Sequence, residues 1–136
     1  MYADATPIAA DKSREELDSI TGRIIGAAQR VSTILGDGFL ERVYENAPKL
    51  ELERGGISVK QQESCFVSYR GENVGTYVTD LLVEDCVIVE IKAQERLERA
   101  HIAQCLHYLR ATNFRIALLL NFGRSRLEWR RVVYRF

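Results

Sequence analysis

The sequence predicts a single α/β domain in which a mixed β-sheet is flanked by α-helices. Apolar residues recur every three or four positions in the first third of the chain and again near residue 100, which favours helices. Elsewhere they alternate or run continuously, which favours strands. Helices and strands that each bury an apolar face are expected to pack in layers around one core. The predicted order of elements is ααββββαββ.

Two helices are predicted first. An apolar stripe spans residues 14–35 and stops at Gly36. A second helix begins at residues 37–38 and ends at the glycine pair 55–56. Pro48 lies inside this second helix and removes one backbone hydrogen bond, so we expect a kink there.

The rest of the chain is predicted to form strands around a third helix. Short segments of alternating or continuous apolar residues are separated by turn residues, as is typical of strands. We predict strands at 57–61, 64–69, 74–83 and 86–93, a helix at 97–111, and closing strands at 115–121 and 127–134.

Length and composition limit the class of protein. The 136 residues correspond to one domain, which we place at residues 14–136 behind a flexible leader, residues 1–13. No apolar run is long enough to span a bilayer, and the N-terminus shows no secretory signal. Three cysteines in apolar segments favour buried thiols of a cytoplasmic protein over a disulfide framework or a zinc site.

Charge is balanced overall but unevenly distributed. Nineteen basic and nineteen acidic residues cancel, so there is no global signature of nucleic-acid binding. Residues 110–136 nevertheless contain seven arginines and a single acid, Glu128. Arginines such as Arg124 and Arg126 would suit a polyanionic substrate, and the alternative is an ordinary solvated surface.

Three charged residues interrupt the two central predicted strands. Asp80 lies in the strand 74–83, and Glu90 and Lys92 lie two positions apart in the next strand, so alternation places these two on one face. A buried charge is costly unless it has a partner or a metal. The spacing lets a hairpin bring two carboxylates and a lysine to one point, which indicates a metal-dependent phosphodiesterase site. The simpler alternative is a buried Glu90–Lys92 ion pair.

This interpretation requires a particular hairpin register. For Asp80 and Glu90 to share a face, Val83 must lie opposite Val87, which leaves a three-residue loop, or a bulge must lie near Asp80. A two-residue turn would point Asp80 away from the site.

The expected cofactor is Mg²⁺, with Mn²⁺ able to substitute. Hydrolysis of a phosphodiester needs a hard cation that polarises the phosphoryl oxygen and activates water, and Mg²⁺ prefers one or two carboxylates. Asp80 and Glu90 supply these, and the Ile91 carbonyl is a candidate third ligand. Lys92 can orient the water or offset the charge that develops on the phosphate.

The third predicted helix carries candidate substrate contacts. Its polar side faces the expected site and contains His101, Gln104 and Tyr108. Its apolar side, which we expect to pack on the sheet, contains Ile102, Leu106 and Leu109. The alternative is that Gln104 and Tyr108 are ordinary half-buried residues.

The second predicted helix adds an acid and an aromatic residue. Glu41 and Tyr44 lie one turn apart and share a face, so Tyr44, part of the apolar stripe, draws Glu41 toward the interior. We take Tyr44 as a further candidate substrate contact. The alternative for Glu41 is a first-turn glutamate that favours the helix dipole.

Four motifs follow one another along the chain: Gly38-x-x-Glu41-x-x-Tyr44, Asp80 within segment 77–83, Glu90-x-Lys92, and Gln104-x-x-x-Tyr108. In this order the sequence resembles the GxxExxY family, a small bacterial branch of the PD-(D/E)XK nuclease superfamily. The likeness covers roughly residues 17–134. Thr79 departs from the superfamily pattern, which has proline there, and Val78 stands where many members carry a basic residue.

The resemblance implies a restriction-endonuclease-like core with Asp80, Glu90 and Lys92 as the catalytic set. Glu41 would help to hold metal through water. Gln104 and Tyr108 would contact substrate or support the lysine.

Residues and resemblance together predict a cytoplasmic, Mg²⁺-dependent nuclease acting on DNA, of bacterial or phage origin, with no membrane partner and a possible homodimeric state. The alternative is a catalytically silent protein that binds nucleic acid or a partner and retains the nuclease fold. The complete Asp80, Glu90 and Lys92 set argues against that alternative.

Overall fold

The structure is a computed structural model that describes residues 12–136. This part of the chain forms three helices and five strands. They are α1 (Arg14–Leu35), α2 (Glu41–Arg54), β1 (Val59–Tyr69), β2 (Glu72–Val83), β3 (Val87–Lys92), α3 (Arg99–Thr112), β4 (Ile116–Asn121) and β5 (Glu128–Val133).

The start of α1 changes one predicted boundary. Most of the predicted leader, residues 1–13, lies outside the described residues. Ser13, however, caps α1: its hydroxyl accepts a hydrogen bond from the Glu16 N–H (3.1 Å), and the Glu16 carboxylate accepts one from the Ser13 N–H (3.0 Å). This reciprocal pair fixes the first turn of the helix, which begins at Arg14, the residue at which the predicted domain starts.

The five strands form one mixed sheet in the order β1-β2-β3-β4-β5. Neighbouring strands are antiparallel except β3 and β4, which are parallel and are connected through α3. A parallel connection needs a crossover, and α3 provides it. The predicted class, a mixed sheet flanked by helices, is confirmed.

One predicted strand break does not occur. The segments 57–61 and 64–69 form the single strand β1, so the observed order is ααβββαββ, one strand fewer than predicted. β1 continues through Gln62, whose φ of 53° interrupts the pairing between Gln61–Leu81 and Glu63–Thr79. The polar residues that suggested a break are accommodated because β1 is an edge strand.

The helices cover both faces of the sheet. One apolar cluster joins α1 and α2 to the face that carries Leu81, Val89, Ile91, Leu118 and Leu120. A second cluster joins α3 to the other face through Leu82, Ile88, Cys105, Leu109 and Leu119. β3 and β4 are therefore covered on both faces, which explains their nearly continuous apolar sequence.

The connection between α1 and α2 is held by Tyr44. The Tyr44 hydroxyl donates to the Gly36 carbonyl (2.5 Å) and accepts from the Phe39 N–H (3.2 Å). α2 begins at Glu41 rather than at residues 37–38, because Gly38 has a φ of 110° that no helix uses. The helix then continues without interruption through Pro48.

None of the helices within residues 12–136 is both long and apolar enough to cross a membrane.

Candidate functional site

The β2–β3 hairpin has the register that a shared site requires. Val83 lies opposite Val87 and Leu81 opposite Val89, which leaves residues 84–86 as a three-residue loop. This confirms the predicted odd-length loop. The regular pairing ends at Leu81, and the next two residues, Asp80 and Glu90, face one another where the strands separate.

Each of these carboxylates is anchored through one oxygen. Glu90 Oε2 accepts hydrogen bonds from the Asp80 N–H (3.0 Å) and the Thr79 hydroxyl (2.9 Å). Asp80 Oδ2 accepts one from the Ile91 N–H (2.7 Å). Within residues 12–136, Glu90 Oε1 has no hydrogen bond and Asp80 Oδ1 has only a long contact with Gln62 Nε2 (3.5 Å). Each carboxylate therefore keeps an oxygen available for a ligand.

Both carboxyl groups carry raised pKa values. Burial, followed by repulsion from Asp80, raises the pKa of Glu90 from 4.5 to about 7. Burial is also the main cause that raises the pKa of Asp80, and Glu45 and Glu41 add repulsion. The site therefore resists holding two negative charges without a cation, and a bound cation would reverse this.

Lys92 lies beside the carboxylates without forming an ion pair. Its charge lowers the pKa of both Asp80 and Glu90, although less than burial raises them. The ion pairs among residues 12–136 do not include Lys92. The sequence had allowed a simpler alternative, a buried ion pair between Glu90 and Lys92, and no such pair forms within residues 12–136. The half-buried Lys92 side chain is therefore available to contact a substrate.

Thr79 has a role that the sequence did not indicate. The side chain is fully buried, and its hydroxyl donates to Glu90 Oε2. The residue that replaces proline in the superfamily pattern thus orients a candidate metal ligand, as groups behind metal ligands commonly do.

Glu45 is a second acid on α2 that sequence reasoning missed. It is 5% exposed and accepts hydrogen bonds from Gln61 Nε2 (2.6 Å) and Gln62 Nε2 (2.9 Å). It raises the pKa of Asp80 more than the exposed Glu41 does. Its position one turn after Glu41, next to Tyr44, was the available signal.

Tyr44 does not present a surface to substrate. Its side chain is fully buried, and its ring stacks on Phe122 with centroids 4.8 Å apart. Because its hydroxyl is bound within the α1–α2 connection, the expected substrate contact is replaced by a structural role.

The three candidate substrate contacts on α3 have different surroundings in the structure. Tyr108 stacks on Tyr77 with centroids 3.8 Å apart, and burial followed by repulsion from Glu90 raises the pKa of Tyr108, which places it near the site. Gln104 is exposed, and His101 Nδ1 accepts the Glu98 N–H at the helix start (3.0 Å).

The apolar side of α3 also differs from the prediction. Leu109 is buried and Ile102 is half-buried, as expected, whereas Leu106 is exposed and Cys105 takes its place in the core.

A polar cluster fixes the chain segment that follows Lys92. Asn121 is fully buried; its Nδ2 donates to the Gln94 carbonyl (2.9 Å) and to Glu128 Oε1 (3.1 Å), and its Oδ1 accepts from the Gln94 N–H (2.9 Å). Gly123 is required beside it, because a Cβ there would lie 2.2 Å from the Gln94 carbonyl oxygen. Asparagine at the end of an otherwise apolar strand was the signal in the sequence.

The candidate arginines follow the end of β4 in the chain. Arg124 and Arg126 are exposed in the loop between β4 and β5. Arg131, in contrast, pairs with Asp18 of α1 and is engaged within the fold.

The donor set fits one hard divalent cation. No group of three or more acidic, histidine or cysteine side chains able to hold a metal occurs within residues 12–136. The pair formed by Asp80 and Glu90, in which each carboxylate keeps one oxygen without a close partner among residues 12–136, matches the one or two carboxylates that Mg²⁺ takes while it keeps several waters.

Comparisons with known proteins give one family and several similar solved structures, including the following two. The profile of the PD-(D/E)XK nuclease superfamily matches residues 18–132. A structure titled "Crystal structure of SSO0001" superposes with a TM-score of 0.54 at 12% identity, over 90% of this chain and 60% of that one. The chain therefore spans 60% of the length of that relative.

The second solved structure is an alkaline exonuclease from Laribacter hongkongensis, which superposes with a TM-score of 0.45 at 12% identity, over 86% of this chain and 81% of that one. No curated protein matches the sequence significantly.

Proposed function

Because the chain belongs to the PD-(D/E)XK nuclease superfamily, we propose that it is a divalent-metal-dependent nuclease that hydrolyses phosphodiester bonds of DNA. Its five-stranded mixed sheet between helices is the restriction-endonuclease-like fold that the resemblance implied. One observation carries the proposal. The buried carboxylate of Glu90 and the half-buried carboxylate of Asp80, each with one oxygen that has no close partner within residues 12–136, face one another beside a lysine that has no ion pair there.

Asp80 and Glu90 would hold Mg²⁺ or Mn²⁺ through their free oxygens, with the Ile91 carbonyl as a candidate third ligand and Glu41 acting through water. The cation would supply polarisation of the phosphoryl oxygen and a lower pKa for the attacking water. Thr79 and the Ile91 N–H keep the two carboxylates in place, so they need not reorganise when substrate arrives.

Lys92 would act in the transition state. Its ammonium can donate to the attacking water or to the phosphoryl oxygen on which charge develops. A positive charge at this point stabilises the transition state more than the ground state, so it raises the rate more than the affinity.

Several finer assignments belong to this proposal. The Gly38, Glu41 and Tyr44 motif supports assignment to the GxxExxY branch. The protein would act in the cytoplasm, as a homodimer. Tyr108, Gln104 and His101 would contact substrate from α3. Arg124 and Arg126 would contact phosphates without reading bases.

A degradation assay tests the proposal. Supercoiled, linear and single-stranded DNA would be incubated with Mg²⁺, with Mn²⁺ and with EDTA, beside the Lys92→Ala protein. We expect cleavage with either metal, none in EDTA, and none by Lys92→Ala although this variant still binds DNA. Cleavage that persists in EDTA or in Lys92→Ala would contradict the proposed site. Metal-independent DNA binding without cleavage by the wild type would favour the silent binding protein.

A further inference from the structure

A cavity of about 380 Å³ lies between the last turns of α1 and the β4–β5 loop. Donor groups dominate its wall, which consists of Gln29, Ser32, Thr33, Ser125, Arg126 and Leu127. One cationic side chain, three hydroxyls and one amide face the space, and no carboxylate of residues 12–136 lines it. This composition favours an anion.

A neighbouring cavity on α1 shows the contrast. That cavity is lined partly by Asp18 and Glu51, whose charges are already paired with Arg131 and Arg30. The acidic side chains of that cavity are therefore already paired, whereas Arg126 of the donor-lined cavity has no ion pair among residues 12–136.

Two residues of the donor-lined cavity have no partner within residues 12–136. Arg126 forms no ion pair or hydrogen bond there. Ser32 is only 7% exposed, yet its hydroxyl makes no hydrogen bond to another described residue. The Ser32 oxygen is reachable from the cavity, so this hydroxyl and the free guanidinium of Arg126 can both donate to a ligand there.

The loop that lines the cavity follows the end of β4 that lies beside Lys92. Asn121 pairs with Lys92 across the parallel strands, and the Phe122 N–H donates to the Lys92 carbonyl (2.8 Å). Arg126 follows Asn121 by five residues, so their Cα atoms are at most about 18 Å apart. One strand of duplex DNA advances about 3.4 Å per nucleotide, so this separation is at most roughly five nucleotides.

We propose that this cavity binds a backbone phosphate of the nucleic-acid strand, within roughly five nucleotides of the bond that is cleaved. Arg126 supplies the charge and Ser32 a hydrogen bond, and neither reads a base. The inference rests on the proposed function for the identity of the ligand. The cavity would give the nucleic-acid strand a second contact with the protein, and this contact would determine which bond along the strand reaches the metal site.

The test measures binding rather than cleavage. Fluorescence anisotropy of labelled single-stranded and duplex DNA would be recorded in EDTA over a range of salt concentrations. The variants are Arg126→Ala and Ser32→Ala. The matched controls are Arg110→Ala, an exposed arginine of α3, and Ser19→Ala, an exposed serine of α1 beside the cavity whose charges are paired.

We expect Arg126→Ala to reduce the steepness of log affinity against log salt by about 0.9 on duplex and about 0.7 on single-stranded DNA. Ser32→Ala should weaken binding roughly tenfold with an unchanged slope, because it removes a hydrogen bond to a charged group. The two controls should match the wild type.

Three results would overturn the inference: no DNA binding by the wild type, equal slopes for Arg126→Ala and Arg110→Ala, or wild-type affinity for Ser32→Ala. Cleavage assays of the same proteins separate this outcome from failure of the proposed function. If the variants lose binding as expected but the wild type cuts nothing, the phosphate site stands and the nuclease proposal fails. If the wild type cuts and the variants bind normally, only the phosphate site fails.

Discussion

Two clusters of polar residues in the sheet use their side chains in opposite ways. At the end of β4, Asn121 is fully buried and uses both its oxygen and its nitrogen on Gln94 and Glu128. Where β2 and β3 separate, Asp80 and Glu90 each keep an oxygen without a close partner and carry raised pKa values. A complete hydrogen-bond network stabilises the fold. The two carboxylates, whose bonds are incomplete and whose charges repel, destabilise the fold until a cation binds them.

The largest expected effect is on the complete network. Asn121→Ala should lower the free energy of unfolding by about 4 kcal/mol, because it empties a fully buried position and leaves part-buried groups of residues 94, 123 and 128 without partners. Urea unfolding would measure this loss. Asn73→Ala, at the exposed β1–β2 turn, is the control and should cost far less. Equal losses would show that the Asn121 network is not a structural joint.

The incomplete pair should respond to pH in the opposite sense. The pKa of Glu90 is about 7 in the folded protein and 4.5 as its ordinary value, so the metal-free fold loses stability as pH rises between these values. The loss should reach about 3 kcal/mol above pH 7 and be absent below pH 4.5.

Glu90→Gln should flatten this fall and make the metal-free protein more stable than the wild type at pH 8. Urea unfolding in EDTA across the pH range provides the comparison. Parallel curves of stability against pH for wild type and variant would show that ionisation of Glu90 does not cause the loss of stability.

A smaller effect, on metal affinity, is expected for Thr79, which holds the candidate metal ligand Glu90 in place. Thr79→Val removes the hydroxyl that donates to Glu90 and keeps the shape of the side chain, so affinity for Mn²⁺ should fall roughly tenfold. Calorimetric titration measures this, with Thr76→Val, exposed on the same strand, as the control. If Thr79→Val binds Mn²⁺ like the wild type, its hydrogen bond does not position Glu90 for metal.

The sequence predicted the parts that alternation and burial control. The apolar runs around Asp80 and Glu90 restrict the hairpin to a register in which both carboxylates meet, and the three-residue loop follows from that restriction. Fold class followed from the same periodicities. The hairpin register and the fold class both follow from which face of each helix or strand is buried.

Other features depend on backbone conformations or on contacts distant in sequence. Nothing in the local pattern shows that Gln62 adopts a positive φ and keeps β1 continuous. The burial of Tyr44 depends on Phe122, far along the chain, so a motif tyrosine on a helix was mistaken for a substrate contact. Glu45 was missed because a glutamate on an amphipathic helix is ordinarily solvated, and its burial depends on two glutamines of β1.

Metal binding by the incomplete pair tests the central claim most directly. Melting temperatures would be recorded with and without saturating Mg²⁺ or Mn²⁺ for the wild type, for Asp80→Asn, and for Asp85→Asn, a hairpin-loop aspartate that pairs with Lys60. The cation should raise the melting temperature of the wild type and of Asp85→Asn by mass action, and should leave Asp80→Asn unchanged. An equal shift in all three proteins, or none in the wild type, would contradict a metal site between Asp80 and Glu90.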